Sequence, residues 1–414
     1  MAAVDSSVNP LAITGLGVVS SIGVGREAWI LALKDCEKAR ARAFRGAPTV
    51  LSAEAAPGAI AAEVWDFDAS LYLGNKGLRN FDRLTRFLIV AGKLALEDAG
   101  LKKDGEQRAI RAERIGVCSA TAYGSLDSIT ELLKVSELED PRYVNPARFP
   151  NTVINSAAAY LSIWEDLRAP NTTVVDGNCG ALDAILTCET HLYNTRADVF
   201  LVGGGEILSD PLYVAFKKLG ILAEADAAFA PGLPESRGMR LGEGAVYLCV
   251  ERSADARRRG AEMRAEIVGY GNAFEPPSSE AVLVHASKSA IQRAIQMALQ
   301  DASLDRTQVD IACLSANGIA QFDRPEREAL AEIFGPDIAI AVPKSIYGET
   351  LGASGAFGIA AVLSWFEGVP AAPLICGAVP KHPLRALVVT VGFYGNASAV
   401  VLSRGPIVRK RGEA

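Results

Sequence analysis

Two stretches of the chain run through the same alternation of short apolar segments and helix-spaced segments, and that alternation limits the fold more than any other feature. The opening LAITGLGVVSSIG reads as a buried strand interrupted by glycines, and RIGVCSATA, ADVFLVGGGE and GEGAVYLCVERS (242–253) continue the pattern. Between them LTRFLIVAGKLALEDAG (84–100) has helical spacing and stops at Gly100. After residue 255 the spacing predicts a helix over 280–301, a strand at DIACLSANG, a helix over 325–334, a strand at IAIAVPKS, a helix over 352–367, and strands at ALVVTVGF and ASAVVLSR. Strands alternating with helices predict α/β layers. The similar rhythm of the halves 1–255 and 256–414 points to an internal duplication, although no direct sequence repeat is visible.

Composition narrows the function classes. Half of the 414 residues are apolar and 22% are charged, enough to build a large core. A formal charge of −6 argues against nucleic acid as the main partner. No uninterrupted apolar run reaches the roughly 18 residues of a membrane span, and MAAVDSSVNPLAITGLG lacks the pattern of a secretory signal. Seven scattered cysteines with no CxxC spacing disfavour a disulfide framework or a zinc site, so a reduced, cytoplasmic setting is expected. The Arg257–Arg259 run and the basic segment 409–411 read as solvated faces.

VVDGNCGALDAI (174–185) has the build of a nucleophile elbow. A β-branched run meets a turn of small residues and then a helix-compatible segment over 182–193. A thiol at such a turn would lie near helix N-terminal N–H groups, which favour thiolate.

ITGLGVVSSIG, FDRLTRFLIVAGKLALEDAGL, NPARFPNTVINSAAAYLSIW, ADVFLVGGGE, LGEGA, PKSIYGETLGASGA and VGFYGNAS together resemble the β-ketoacyl-acyl-carrier-protein synthases, over about residues 11–404. The resemblance implies the thiolase-like five-layered αβαβα fold with its internal pseudo-twofold duplication, an obligate dimer, and substrates carried on the phosphopantetheine of an acyl carrier protein, with no other cofactor and no metal. It also implies a Cys that holds the acyl chain and two His that stabilise developing oxyanions. Here Asn317 stands at the first His position and Glu349 at the second, and Ile319 and Gln321 replace the threonines that contact the phosphopantetheine arm. Only His191, His285 and His382 occur, and none lies in either motif; they read as structural or surface residues. The elbow is one residue short of the family pattern. Counting from the strand puts Cys179 at the nucleophile position, whereas counting from the helix puts Asn178 there. The helix-side count is favoured because the helix sets the direction of the elbow side chain.

The chemistry of the replacements points the same way. A carboxylate beside Cys179 would raise its thiol pKa, and an ionised Glu349 can accept but not donate to an oxyanion. Each lost oxyanion donor costs on the order of 3 kcal/mol. Lys344 and Glu328 match retained family positions and are expected to form a buried or partly buried ion pair, which Glu349 could join. Phe393 keeps the place of a gating ring, Tyr394 replaces a glycine and should stiffen or block the gate, and Met239 replaces a Phe. A retained scaffold with a dismantled site is similar to the chain length factors of type II polyketide synthases, which pair with an active ketosynthase. On that resemblance Arg148, Phe149 and Thr152 would flank the end of the partner's acyl tunnel, with Tyr123 and Leu126 as a second candidate wall. The alternatives are an acyltransferase that uses Cys179 without decarboxylation, and a malonyl-carrier-protein decarboxylase that primes the chain with Asn178 and Asn317.

Overall fold

A computed structural model describes residues 10–279 and 281–405. The first half contributes strands β1 (Leu11–Ser20), β2 (Ile115–Ala120), β3 (Asn171–Val174), β4 (Val199–Glu206) and β5 (Gly244–Arg252). Its main helices are α1 (Arg83–Asp98), α2 (Ser156–Glu165) and α3 (Gly180–Tyr193). The second half contributes β6 (Ala265–Phe274), β7 (Ile311–Cys313), β8 (Ala339–Ala341), β9 (Arg385–Val391) and β10 (Asn396–Ser403), with α4 (Lys288–Asp301), α5 (Ala320–Phe334) and α6 (Ser354–Phe366).

The duplication is explicit in the strand order. The first half runs β3-β2-β4-β5-β1 across the sheet and the second runs β8-β7-β9-β10-β6. In each, the first two pairings are parallel and the last two antiparallel. The halves join where Leu11 to Ile13 of β1 pair antiparallel with Ala265 to Ile267 of β6. Helices α3 and α6 lie between the two sheets, and α1, α2, α4 and α5 cover the outer faces, which gives the expected αβαβα layering. Every residue of β1, β4 and α6 is buried, as expected for elements covered on both sides.

The packing repeats as well, and with it a sequence match that the linear reading passed over: ALEDAGL (95–101) and ALQDASL (298–304). A Cβ on Gly15 or Gly17 of β1 would overlap the carbonyl oxygens of Ala95 and Ala91 in α1. A Cβ on Gly269 or Gly271 of β6 would overlap those of Ala298 and Ala294 in α4. Each half therefore presents a Gly-x-Gly strand to two helical alanines four residues apart, and strand and helix backbones meet with no side chain between them.

The structure corrects several sequence expectations. The helix expected over 280–301 begins at Lys288, because the Ser287 hydroxyl caps it by accepting from Ala290 N at 3.1 Å. His285 therefore lies outside the helix, bridged to Tyr394. Helix α5 starts at Ala320, five residues earlier than expected, and Pro325 lies inside it. Arg259 is not part of a solvated face: it holds the buried Glu251 carboxylate at 2.6 Å. The basic segment 409–411 lies outside the described residues.

If backbone contact sets the spacing of these layers, Gly17→Ala and Gly271→Ala should each cost about 1–3 kcal/mol of stability. Gly46→Ala, which meets nothing within 4 Å, should stay within about 0.5 kcal/mol. Denaturant melts of the three variants compare them directly.

Candidate functional site

Strand β3 feeds a 3-10 turn, Gly177–Cys179, from which α3 starts at Gly180. In the second half Leu351–Ala353 forms the matching 3-10 turn at the start of α6. The two turns meet between the sheets, and the candidate site is built around them.

Asn178 is 1% exposed and turns inward, with its Nδ2 3.2 Å from the Val391 carbonyl oxygen and 3.4 Å from Glu349 Oε2. Cys179 faces elsewhere: its Sγ is 3.6 Å from the Thr390 carbonyl oxygen. Burial, with Asp183 adding to it, pushes this thiol well above its ordinary range. That shift is opposite in direction to the one that activates a thiol.

Glu349 occupies the centre and is fully buried. Its Oε2 accepts from Lys344 Nζ at 2.7 Å and lies 3.4 Å from the amide nitrogens of both Asn178 and Asn317. Its Oε1 accepts from Leu351 N at 2.8 Å and from Ser354 Oγ at 2.5 Å. Leu351 adopts a left-handed φ of 46°, an uncommon conformation for a branched residue, and in it aims its N–H at this carboxylate. Asn317 is anchored through its own N–H to Asp323 Oδ1 at 2.9 Å, and its Oδ1 accepts from Ile319 N at 3.1 Å.

The expected Lys344–Glu328 pair does not form. Glu328 is exposed beside Arg324 on the solvent face of α5, and the partner of Lys344 is Glu349. The buried acids of α5 are Asp323 and Glu326, which the sequence reading missed. Asp323 caps the Asn317, Gly318 and Gly232 N–H groups, and Glu326 accepts from Ser315 N at 2.7 Å. Burial raises both, Glu326 to about 8. Helical spacing held the signal: Glu326 is four residues after Phe322 and four before Leu330, on the apolar stripe, whereas Glu328 is turned off it.

The remaining candidates lie at two places. Phe393 is buried in a series of rings, 6.0 Å from Phe216 and 5.2 Å from Phe322 between centroids, with Tyr123 6.0 Å beyond Phe216. Met239 is fully buried in the same core cluster. Tyr394 points outward at 59% exposure, so its ring does not block that space. Arg148, Phe149 and Thr152 are on the surface instead: Arg148 pairs with Glu131, Phe149 is 59% exposed, and Thr152 Oγ1 donates to the Phe149 carbonyl. Arg148 and Glu131 border an open cavity of about 210 Å³, together with Leu132, Val135 and Tyr143.

The model for the beta-ketoacyl synthase N-terminal domain matches residues 8–256, and the C-terminal domain model matches residues 264–373. The chain belongs to the beta-ketoacyl synthase family. It is 31% identical over 360 residues to the 3-oxoacyl-[acyl-carrier-protein] synthase 2 of Coxiella burnetii, covering 83% of this chain and 82% of that one. It is 28% identical over 420 residues to the tetracenomycin polyketide synthase ketoacyl synthase beta subunit of Streptomyces glaucescens, covering 96% and 99%. The solved ishigamide ketosynthase/chain length factor shares the fold, with a TM-score of 0.80 at 23% identity over 96% of this chain and all of that one. Within this family's fold the centre of the molecule holds a carboxylate satisfied by five donors. Among the described residues no group of His, Cys, Asp or Glu is placed to hold a metal ion.

Two outcomes follow. Glu349→Gln leaves the buried Lys344 without its counter-charge and is expected to lose about 3–5 kcal/mol of stability, measured by thermal or denaturant melts. The Glu326 carboxyl keeps its proton to about pH 8 in the folded chain, against 4.5 for an ordinary Glu. Across that window the folded state binds the extra proton, so this contribution favours folding at low pH and is lost as pH rises. Glu326→Gln should therefore reduce the fall in melting temperature between about pH 5 and about pH 8.

Proposed function

We propose that this chain is a chain length factor: a non-catalytic subunit that pairs with an active ketosynthase and walls its acyl tunnel, in polyketide, aryl-polyene or fatty-acid-like biosynthesis. The substrates are carried on the phosphopantetheine of an acyl carrier protein. The observation that carries this reading is the Glu349 carboxylate at the point where the Asn178, Asn317 and Lys344 donors converge. A condensing site needs donors free to meet an oxyanion as it forms, and here they already face an anion. The tetracenomycin beta subunit and the ishigamide ketosynthase/chain length factor, both similar over nearly the whole chain, support the assignment to this branch.

The surface fits a subunit that is completed by a partner. Strand β3 pairs with β2 on one side only and leaves its other edge open. Val175 and Ile163 stand beside that edge at 50% and 74% exposure. Leu133, Leu138, Tyr143 and Phe149 are exposed on the nearby segment 126–155. Exposed apolar residues beside an open strand edge are the pattern that association covers. No helix among the described residues is long and apolar enough to cross a membrane, and a cytoplasmic complex with no nucleic-acid partner suits this role.

Two alternatives fit the site less well. Acyl transfer by Cys179 needs a thiolate, but the thiol is fully buried against the Thr390 carbonyl, and burial raises its pKa. Decarboxylation with Asn178 and Asn317 as donors needs their amide N–H groups, which lie against Glu349.

Co-expression with an active ketosynthase, native mass spectrometry and a condensation assay test the proposal. A one-to-one complex is expected, with turnover abolished by substituting the partner's nucleophilic cysteine and retained in Cys179→Ser of this chain. Acylation of Cys179 by carrier-protein thioesters, or carbon dioxide release from malonyl-carrier protein by the isolated chain, would overturn it. In the active pair Phe149→Ala should lengthen the product by enlarging the far wall, read by mass spectrometry of the carrier-bound chains.

A further inference from the structure

The donor ring around Glu349 is anchored without help from Glu349. Asn178 Nδ2 is also held by the Val391 carbonyl, and Lys344 Nζ by Ser315 Oγ at 3.3 Å, itself fixed by donation from Val391 N at 3.0 Å. Asn317 is tied at its N–H to Asp323 and at its Oδ1 to Ile319 N. The Leu351 N–H and the Ser354 hydroxyl belong to the first turns of α6, a 13-residue helix buried along its whole length. Two of these donors address one carboxylate oxygen and three the other, as a bidentate anion site requires. One donor is a formal cation at 3% exposure. The site is therefore organised for a carboxylate, and the chain fills it with its own.

We propose that Asn178, Asn317, Lys344, Leu351 and Ser354 form a carboxylate-binding site whose occupant, the Glu349 side chain, is supplied in cis and can be replaced by a small free carboxylate. Glu349→Ala removes a CH2–COO⁻ fragment, the size of acetate. It leaves the buried ammonium without the carboxylate that bonds it; Asp323 and Glu326 also interact with Lys344 electrostatically, but burial raises both of these carboxyls, so a free carboxylate is favoured in the vacated place. Neutral molecules of the same shape lack the charge that Lys344 requires. The inference concerns this site alone and does not depend on a ketosynthase partner.

The test is the melting temperature of the full-length Glu349→Ala variant titrated with sodium acetate or formate, with chloride at matched ionic strength and acetamide as controls. The variant should melt below the wild type and regain stability saturably with acetate or formate. At an acetate concentration ten times its Kd the folded-to-unfolded ratio rises about eleven-fold. The gain should be absent with chloride or acetamide, in the wild type, and in the double variant Glu349→Ala/Lys344→Met. Equal effects of acetate and chloride on the variant, or equal acetate effects on variant and wild type, overturn the proposal. If Glu349→Ala does not fold in chloride, refolding yield becomes the readout. A yield that rises with acetate but not with chloride supports the site, and equal yields overturn it.

Discussion

Burying two helices between two sheets is the constraint on which the rest of this molecule depends. Both α3 and α6 enter the middle layer through a 3-10 turn, and the turns touch. Helix N-termini carry unpaired N–H groups and the positive end of the helix dipole. Placing two of them together, with the Lys344 ammonium beside them, concentrates positive potential in a buried region. An anion is favoured there. Glu349 supplies it, and Asn178, Asn317 and Ser354 complete its coordination.

The same constraint explains how one fold serves chains with different sites. The layered scaffold, the elbow and the α6 turn are held by backbone packing and by buried carboxylates such as Glu206, which accepts from Ala122, Tyr123, Thr121 and Gly352. The Glu206 contacts do not involve the side chains at positions 178, 317 and 349, although Glu349 adds its own bonds to Leu351 N and Ser354 Oγ in the α6 turn. The relatives include both an acyl-carrier-protein synthase and a ketoacyl synthase beta subunit. Fold similarity to both leaves the distinction to a few side chains at the meeting point of the inner helices.

The duplication is written in both sequence and packing: ALEDAGL (95–101) at the end of α1 matches ALQDASL (298–304) at the end of α4. Gly-Leu-Gly in β1 and Gly-Tyr-Gly in β6 have little else in common along the strand. Each works because its helix offers alanines four residues apart, Ala91 with Ala95 and Ala294 with Ala298, which let a strand backbone approach a helix backbone. That pairing joins residues 74 to 80 positions apart in the first half and 23 to 29 in the second, so the fold brings each strand to its helix.

Much was legible in the sequence because it is written in local or ordered patterns. The alternation of apolar strands and helices specified α/β layers, and motif order specified the family. The resemblance placed Asn317 and Glu349 where the family's two histidines are expected. What only the tertiary structure decided were directions and partners. The elbow count favoured Asn178 over Cys179 from the helix side, and the structure gives the contacts of each: Asn178 against Glu349 and Val391, Cys179 against Thr390. The acid expected to pair with Lys344 was placed at Glu328, but on α5 a shift of two residues rotates a side chain by about 200°. Glu326 is therefore buried and Glu328 faces solvent, while Lys344 found its partner five residues away in Glu349. A one-dimensional pattern reports that a position is apolar or charged; which buried charges meet is set by packing across segments that sequence does not place side by side.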